Sequence, residues 1–445
     1  MLLHTAQRLF DGRHWYADAW LELAGDRVAD WGNGVPPDGE IVGEHVCVMP
    51  ALIDAHCHVA GSAEPVTPVQ IADPYEPQRG CLALLHEAGV GAIRDLGNHP
   101  EMITNLTRLP DTAPVLIRSA GAVLDEPPAQ VAHCRLVTDA EQVRQAVRVA
   151  AEEGASWVKT FANLRPELVA AAVQAADRFG LRVAHRPGRT DALTAARLGV
   201  DTVEHLALCA PPRNRQSPAH RPAAEVLRDW AEPGVLENLA GTLAELAERR
   251  VRLVPLVLAT RRAAVLDDAV GEPRLERLLN IAPIHRHLID MRGAGLNLGR
   301  RFARNYLGYE HLRGKARSTV EQGWTTLLAA LRDAYEAGVV LLPGSDAVGI
   351  SLVPGYALHE ELGLWDRAGI PRDAILRAAT GQAAALLGIA GPKGRDPWTA
   401  GVLAVRKDPT VATNLPGVFA DVRFLVPPTT TAAVEQRRTP LERAQ

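Results

Sequence analysis

Two histidines stand two positions apart in "ALIDAHCHVAG" (51–61), where His56 and His58 close an apolar run. In an extended strand residues i and i+2 share a face, so both imidazoles project together and Cys57 points the other way. Converging imidazoles are half of a metal site. Such a pair alone carries little weight, because ordinary surface and core histidines also fall at this spacing. The weight comes from polar residues that recur at other strand ends. "WVKTFA" holds Lys159 inside an apolar run, "RVAHRPG" ends with His185, "TVEHLA" with His205, and "LLPGSDA" with Asp346. A buried lysine is costly unless it is paired or chemically changed. Metal-competent residues at five strand ends point to a metal centre rather than to isolated core polar groups. Histidine and carboxylate donors suit Zn²⁺ or a similar divalent ion, and the scarcity of cysteine among them argues against a closed structural zinc site.

The elements that would position these residues follow from the pattern. Residues 1–48 read as short strands broken by Asp11-Gly12, Gly25-Asp26 and Gly32-Asn33-Gly34. From residue 49 strands alternate with helices. Strands are expected before His56 and at 91–97, 114–124, 157–162, 181–188, 201–207, 251–258 and 339–347. Helical spacing marks 139–155 and 165–180. This alternation predicts an α/β fold, a (β/α)8 TIM barrel over 49–391. The strand-like pieces after 392 predict a small β-sandwich domain built from 1–48 and 392–445, with a polar tail. Loops after barrel strands line the active-site face. Two are long, 209–234 and about 259–318, and the second is rich in arginine and aromatics, as expected of a solvated insertion or of a lid. His285, His287 and His311 in it read as surface histidines, and Tyr306 or Tyr309 as possible substrate contacts.

Composition narrows the partners. A hydrophobic fraction of 47% supports a sizeable core, and 48 basic against 52 acidic residues give no reason to expect nucleic acid or an anionic membrane. Five scattered cysteines without a C-x-x-C pair read as free thiols in a reducing compartment. No secretory signal or membrane-spanning run is seen, so a cytoplasmic protein is expected. Arg94-Asp95 reads as a structural ion pair or an orienter of ligands. Glu204, next to His205, reads as facing away from the site.

Taken together, "LIDAHCH", "GVGAIRDLGN" (89–98), "GASWVKTFA" (154–162), "VAHRPG", "ARLGVDTVEHL" (196–206), "LLPGSDA" and the helical segment 358–389 resemble the amidohydrolase superfamily. The likeness is to its imidazolonepropionase-like and Xaa-Pro dipeptidase-like branch, and it covers most of the chain. It implies that His56, His58 and Asp346 hold a first metal, and that His185 and His205 hold a second. It also implies that Lys159 takes up carbon dioxide as a carbamate bridging the two, and that Asp346 relays a proton. The chain departs from the usual pattern at Cys57, at Pro343 and Ser345, at Arg186-Pro187, and in "TAGVLAVRKDP".

The expected activity is metal-dependent hydrolysis of a C–N amide bond through a metal-activated hydroxide. The substrate would be a small molecule or peptide: peptide-like, N-acyl or cyclic amide. Follower-peptide removal in a bottromycin-type pathway is a narrower version of that reading. Deamination, lactone or phosphotriester hydrolysis, and imidazolone ring-opening are the alternatives on the same site. A non-catalytic metal-binding scaffold is the alternative of another class. A homo-oligomer is compatible with the fold.

Overall fold

A computed structural model describes residues 2–59, 75–97, 112–128, 134–210, 221–265, 272–277, 312–347, 351–389 and 397–428, with a few single positions between them. The chain opens with four strands, β1 (Leu2–Phe10), β2 (Trp15–Ala24), β3 (Arg27–Asn33) and β4 (Glu40–Pro50). Asp11 shapes the first turn by accepting hydrogen bonds from the N–H groups of Arg13 and His14. β1 pairs antiparallel with β2 and parallel with β4.

The next strands are parallel. β5 (Leu52–Cys57), β6 (Val90–Asp95) and β7 (Leu116–Ser119) form one sheet, in that order. A second sheet comprises β8 (Val123–Asp125), β9 (Cys134–Leu136), β10 (Trp157–Thr160), β11 (Arg182–His185), β12 (Thr202–Glu204) and β13 (Arg252–Val254). Its spatial order is β13-β12-β11-β10-β8-β9. Near the far end of the chain, β14 (Val402–Val405) and β15 (Val422–Val426) join the first four strands in the order β15-β14-β4-β1-β2-β3. Both terminal regions thus build a single six-stranded sheet where a sandwich is expected. Its inner face packs Leu9, Leu21, Val48, Val402 and Trp398 together.

Two parallel sheets stand where the sequence predicts one eight-stranded barrel. Backbone hydrogen bonds span the intervals between them. Ser156 N–H donates to Ser119 O, Leu342 N–H to Leu253 O, and Ala55 N–H to Pro343 O. The last expected strand, 339–347, is reduced to one bridge between Leu253 and Leu341. Pro343 has no N–H to continue a ladder. The 114–124 run breaks into β7 and β8 at Gly121, whose φ is 66°. The 251–258 run ends at Val254, because Pro255 and a left-handed Leu256 (φ 52°) turn the chain into the helix Val257–Ala264.

The predicted helices form close to their expected bounds. Ala140–Glu152 begins at Asp139, whose carboxylate caps Gln142 N–H, and Pro166–Arg178 begins with proline, where no N–H is needed. Their apolar faces (Val143, Ala146 and Val147; Leu168, Val169 and Ala172) join the large core that also holds β5, β6 and β10–β13. Among the described residues no helix is long and apolar enough to cross a membrane. Tyr306, Tyr309, His285, His287, His311 and most of 259–318 lie outside the described residues.

Candidate metal centre

His56 lies within β5 and His58 just beyond its end. The β5–β6 register shifts between Asp54 and Cys57, and Asp54 Oδ1 satisfies the N–H groups of both His56 (3.1 Å) and Ser345 (3.0 Å). The carbonyl of His56 accepts from the N–H groups of Ser345 and Asp346. These bonds lock the segment carrying Asp346 against the strand carrying the histidines. Gly344 permits the approach: a Cβ there would lie 2.8 Å from the Cβ of His56. Asp346 itself is left-handed, with φ 57°. A non-glycine residue held there costs about 1–3 kcal/mol, a strain typical of functional positions.

Three predicted ligands converge. One donor atom each from His56, His58 and Asp346 falls within 4.8 Å of the others, the one such group among the described residues. His56 Nε2 and His58 Nε2 lie 3.4 and 3.2 Å from Asp346 Oδ1. Burial alone would raise the Asp346 carboxyl, but the neighbouring His56 and His58 imidazoles outweigh it and hold the group well below the usual carboxylate range. Burial pulls His58 down, and Asp346 more than restores it.

His205 comes near the same group, its ring centroid 5.6 Å from that of His56. Burial first, and then nearby cations, hold its imidazole neutral. Lys159 is buried in β10, and its Nζ has no hydrogen-bond partner among the described residues. Burial drags its ammonium down to about 8. His185 is placed differently. Its Nε2 lies 3.0 Å from Thr190 O, which can only accept, so Nε2 carries the proton. Its Nδ1 then accepts from the Thr160 hydroxyl at 2.8 Å. Both ring nitrogens are thereby engaged away from the group.

Glu204 is the functional residue that simple strand alternation misplaces. Its Oε2 lies 2.7 Å from His56 Nδ1, and Oε1 accepts from Arg94 Nη2 (2.9 Å) and the Thr202 hydroxyl (2.5 Å). Glu204 and His205 do not simply oppose each other, because His205 is left-handed (φ 65°) and the chain leaves strand geometry there. Burial would raise Glu204; Arg94, and then Lys159, pull it far below the ordinary value. Its carboxylate accepts a hydrogen bond from Nδ1–H of His56, which leaves Nε2 unprotonated on the side of Asp346. Holding a ligand's tautomer this way is what supporting carboxylates do in metal sites. Of the two readings of Arg94-Asp95, the orienting one fits Arg94: it pairs with Glu204 rather than Asp95, stacks 4.4 Å from the Trp157 ring centroid, and donates from Nε to Ala55 O. Asp95 instead accepts from the N–H groups of Val59 and Gly97.

The donor chemistry fits a divalent cation. Two imidazole nitrogens and a carboxylate oxygen converge, one ring is fixed from behind by a carboxylate, and an orphaned lysine nitrogen lies in the same charge neighbourhood.

The parallel sheets and the terminal sheet together have a fold seen in solved amidohydrolases. Among solved structures the chain is similar to a bottromycin amidohydrolase, with a TM-score of 0.68 at 22% identity over 95% of this chain and 85% of that one. It is similar also to a Xaa-Pro dipeptidase with methionine bound in its active site (TM-score 0.63, 16% identity, 95% and 97% covered). The ochratoxinase of A. niger aligns at TM-score 0.61 and 17% identity, covering 94% and 92%. At these identities it is the fold that is shared. No protein-family model and no curated protein sequence matches the chain.

Proposed function

We propose that the protein is a metal-dependent amidohydrolase that cleaves a C–N amide bond. The observation that carries this reading is the convergence of His56, His58 and Asp346 on one point, backed by the Glu204 carboxylate behind His56. His56, His58 and Asp346 would hold a divalent ion, zinc by donor type. When bound, such an ion acidifies water and polarises the substrate carbonyl. Asp346, ionised in its setting, accepts the proton of the attacking water and passes it to the leaving amine. Glu204 keeps His56 in the tautomer that offers Nε2. His205 stays neutral and available as a donor to a second ion. His185 reaches that role only by releasing Thr160 or Thr190.

Lys159 takes up carbon dioxide in this reading. Its amine is buried, unpartnered and shifted toward neutrality, which is the form that adds to carbon dioxide. The two parallel sheets and the 340–346 segment form a closed (β/α)8 barrel; the backbone bonds across the intervals support that closure. The barrel occupies 49–391, and the terminal segments form a separate β domain, supported by their shared sheet. The substrate is peptide-like, N-acyl or cyclic amide, and the likeness to a bottromycin amidohydrolase favours a modified peptide. The enzyme acts in the cytoplasm on a small molecule or peptide, as a homo-oligomer.

The test is metal content per chain by elemental mass spectrometry, with hydrolysis of an amide and dipeptide panel followed on the same sample. Bound zinc and turnover, both lost in the H56A/H58A double variant, are expected. Turnover that survives that variant overturns the reading.

A further inference from the structure

His185 and Thr160 are direct partners in the register of β10 and β11, and both are buried. The two nitrogens of the His185 ring are held in unlike ways, and the difference decides which of them is free to act.

Nε2 donates to Thr190 O at 3.0 Å, and the turn that carries this carbonyl is tied down on every side. Gly188 N–H donates to the same oxygen at 3.0 Å, and Arg189 N–H donates to Ala162 O at 2.7 Å. The hydroxyl of Thr190, itself buried, donates to Leu164 O at 2.6 Å. Position 188 requires glycine, because a Cβ there would lie 2.2 Å from Ala162 O. Releasing Nε2 would therefore disturb the whole turn. Nδ1 is closed by one hydroxyl. Thr160 donates to it at 2.8 Å. A hydroxyl has a single proton to give, and Ala184 O stands 3.4 Å from the same oxygen as an alternative acceptor. Turning the Thr160 side chain frees Nδ1 with no movement of the backbone.

We infer that Thr160 is a positioning residue: it keeps the His185 donor closed until a second cation claims Nδ1, so that the centre fills in two steps of unequal affinity. The inference rests on the metal-dependent reading and narrows it. His56, His58 and Asp346 already converge and take the first ion. His185 must give up a hydrogen bond before it can take part, and that loss weakens the second step alone.

The test is zinc titration of the metal-free protein in bicarbonate buffer, by calorimetry and chelator competition, with wild type, T160V, T160S and H185Q. Wild type should load in two steps, and H185Q should lose only the second. T160V leaves a buried Nδ1 without its donor, so it should melt lower without metal and bind the second ion on the order of 10-fold more tightly, with the first step unchanged. T160S keeps the hydroxyl and should restore the wild-type pattern. In nitrogen NMR of histidine-labelled wild type, His185 Nε2 should stay protonated throughout, and its Nδ1 signal should move only in the second step.

A second step equal to or weaker than wild type in T160V overturns the inference; a lower melting temperature with both steps unchanged would make Thr160 a core residue and nothing more. So does an Nε2 that loses its proton on zinc binding. If T160V does not fold, the wild-type spectra decide, and an Nδ1 signal that moves with the first ion, or with neither, overturns the inference. Zinc bound once only, and lost in H56A/H58A, removes the inference and leaves the hydrolase reading standing. Two steps that depend on Thr160 without amide turnover do the reverse, and no zinc in any sample sinks both.

Discussion

Two clusters of buried charge lie side by side between the parallel strands, and they are finished to different degrees. In the first, Arg94 and Glu204 are wholly buried and every neighbour closes the set: Thr202, His56, Ala55 O and the Trp157 ring. In the second, Lys159 and Arg186 each keep a buried nitrogen without a partner, and Asp346 is strained. Buried ions are tolerated when paired and hydrogen-bonded. The first cluster is therefore complete in the protein alone. The second is not, since two of its nitrogens keep no partner among the described residues.

Breaking the finished cluster should have the largest effect. R94M strands the Glu204 charge in the core and should cost about 3–5 kcal/mol in urea unfolding. Adding E204L should recover most of that stability. It should not recover metal binding, because His56 then lacks the group that fixes its tautomer. A double variant as unstable as R94M would show that the pair is not an isolated ionic unit.

A gentler change separates stability from tuning. E204Q keeps the shape but weakens the hold on His56, and zinc affinity by chelator competition should fall about 10- to 100-fold. Unchanged affinity would make Glu204 purely structural.

Glu361 sharpens the comparison from another side, since it is buried with hydrogen bonds but no cation. It accepts from the N–H groups of Val257 (3.2 Å) and Leu258 (2.8 Å) and from Trp365 Nε1 (3.1 Å). Burial still pushes it from 4.5 to about 7. Below 4.5 the folded and unfolded chains are both protonated and the group is neutral to stability. Across 4.5 to about 7 the folded chain keeps a proton that the unfolded chain has released, so stability falls as pH rises. The slope is at most about 1.4 kcal/mol per pH unit. E361Q should flatten that part of the stability profile; an unaltered slope would assign it elsewhere.

The smallest effect belongs to pairs in water. Arg148–Glu152, at 2.6 Å but nearly half exposed on both sides, should lose only about 0.3–0.5 kcal/mol in E152Q by thermal denaturation.

Much of the site was legible because strand alternation is a strong rule. His56 and His58 share a face, and Asp346 falls beside them. Legibility ended where the backbone left strand geometry. The positive φ at His205 undid the expectation that Glu204 faces away, and Leu256 turned the seventh strand into a helix early. Partner choice was equally hidden. Arg94 is adjacent to Asp95 in sequence yet pairs with Glu204, 110 residues away, because Thr202 and Glu204, two apart on β12, share the face that meets its guanidinium. His185 lies at its predicted strand end, but its hydrogen bonds to Thr160 and Thr190 depend on a side-chain rotation that no spacing encodes. Arg186 stands out in the sequence only as a departure from the usual pattern, and its unpartnered Nη1 depends on neighbours that no spacing encodes.

The shared terminal sheet has a consequence for the order of events during synthesis. β4 runs almost directly into β5, with Ala51 between them, so the strand bearing His56 continues a strand whose antiparallel neighbour, β14, is made some 350 residues later. On a translating ribosome the histidine pair emerges beside a sheet edge that β14 fills only much later. Asp346 follows, and after it β14 and β15. The group of His56, His58 and Asp346 therefore comes together only once residue 346 has been made, whatever has folded before it.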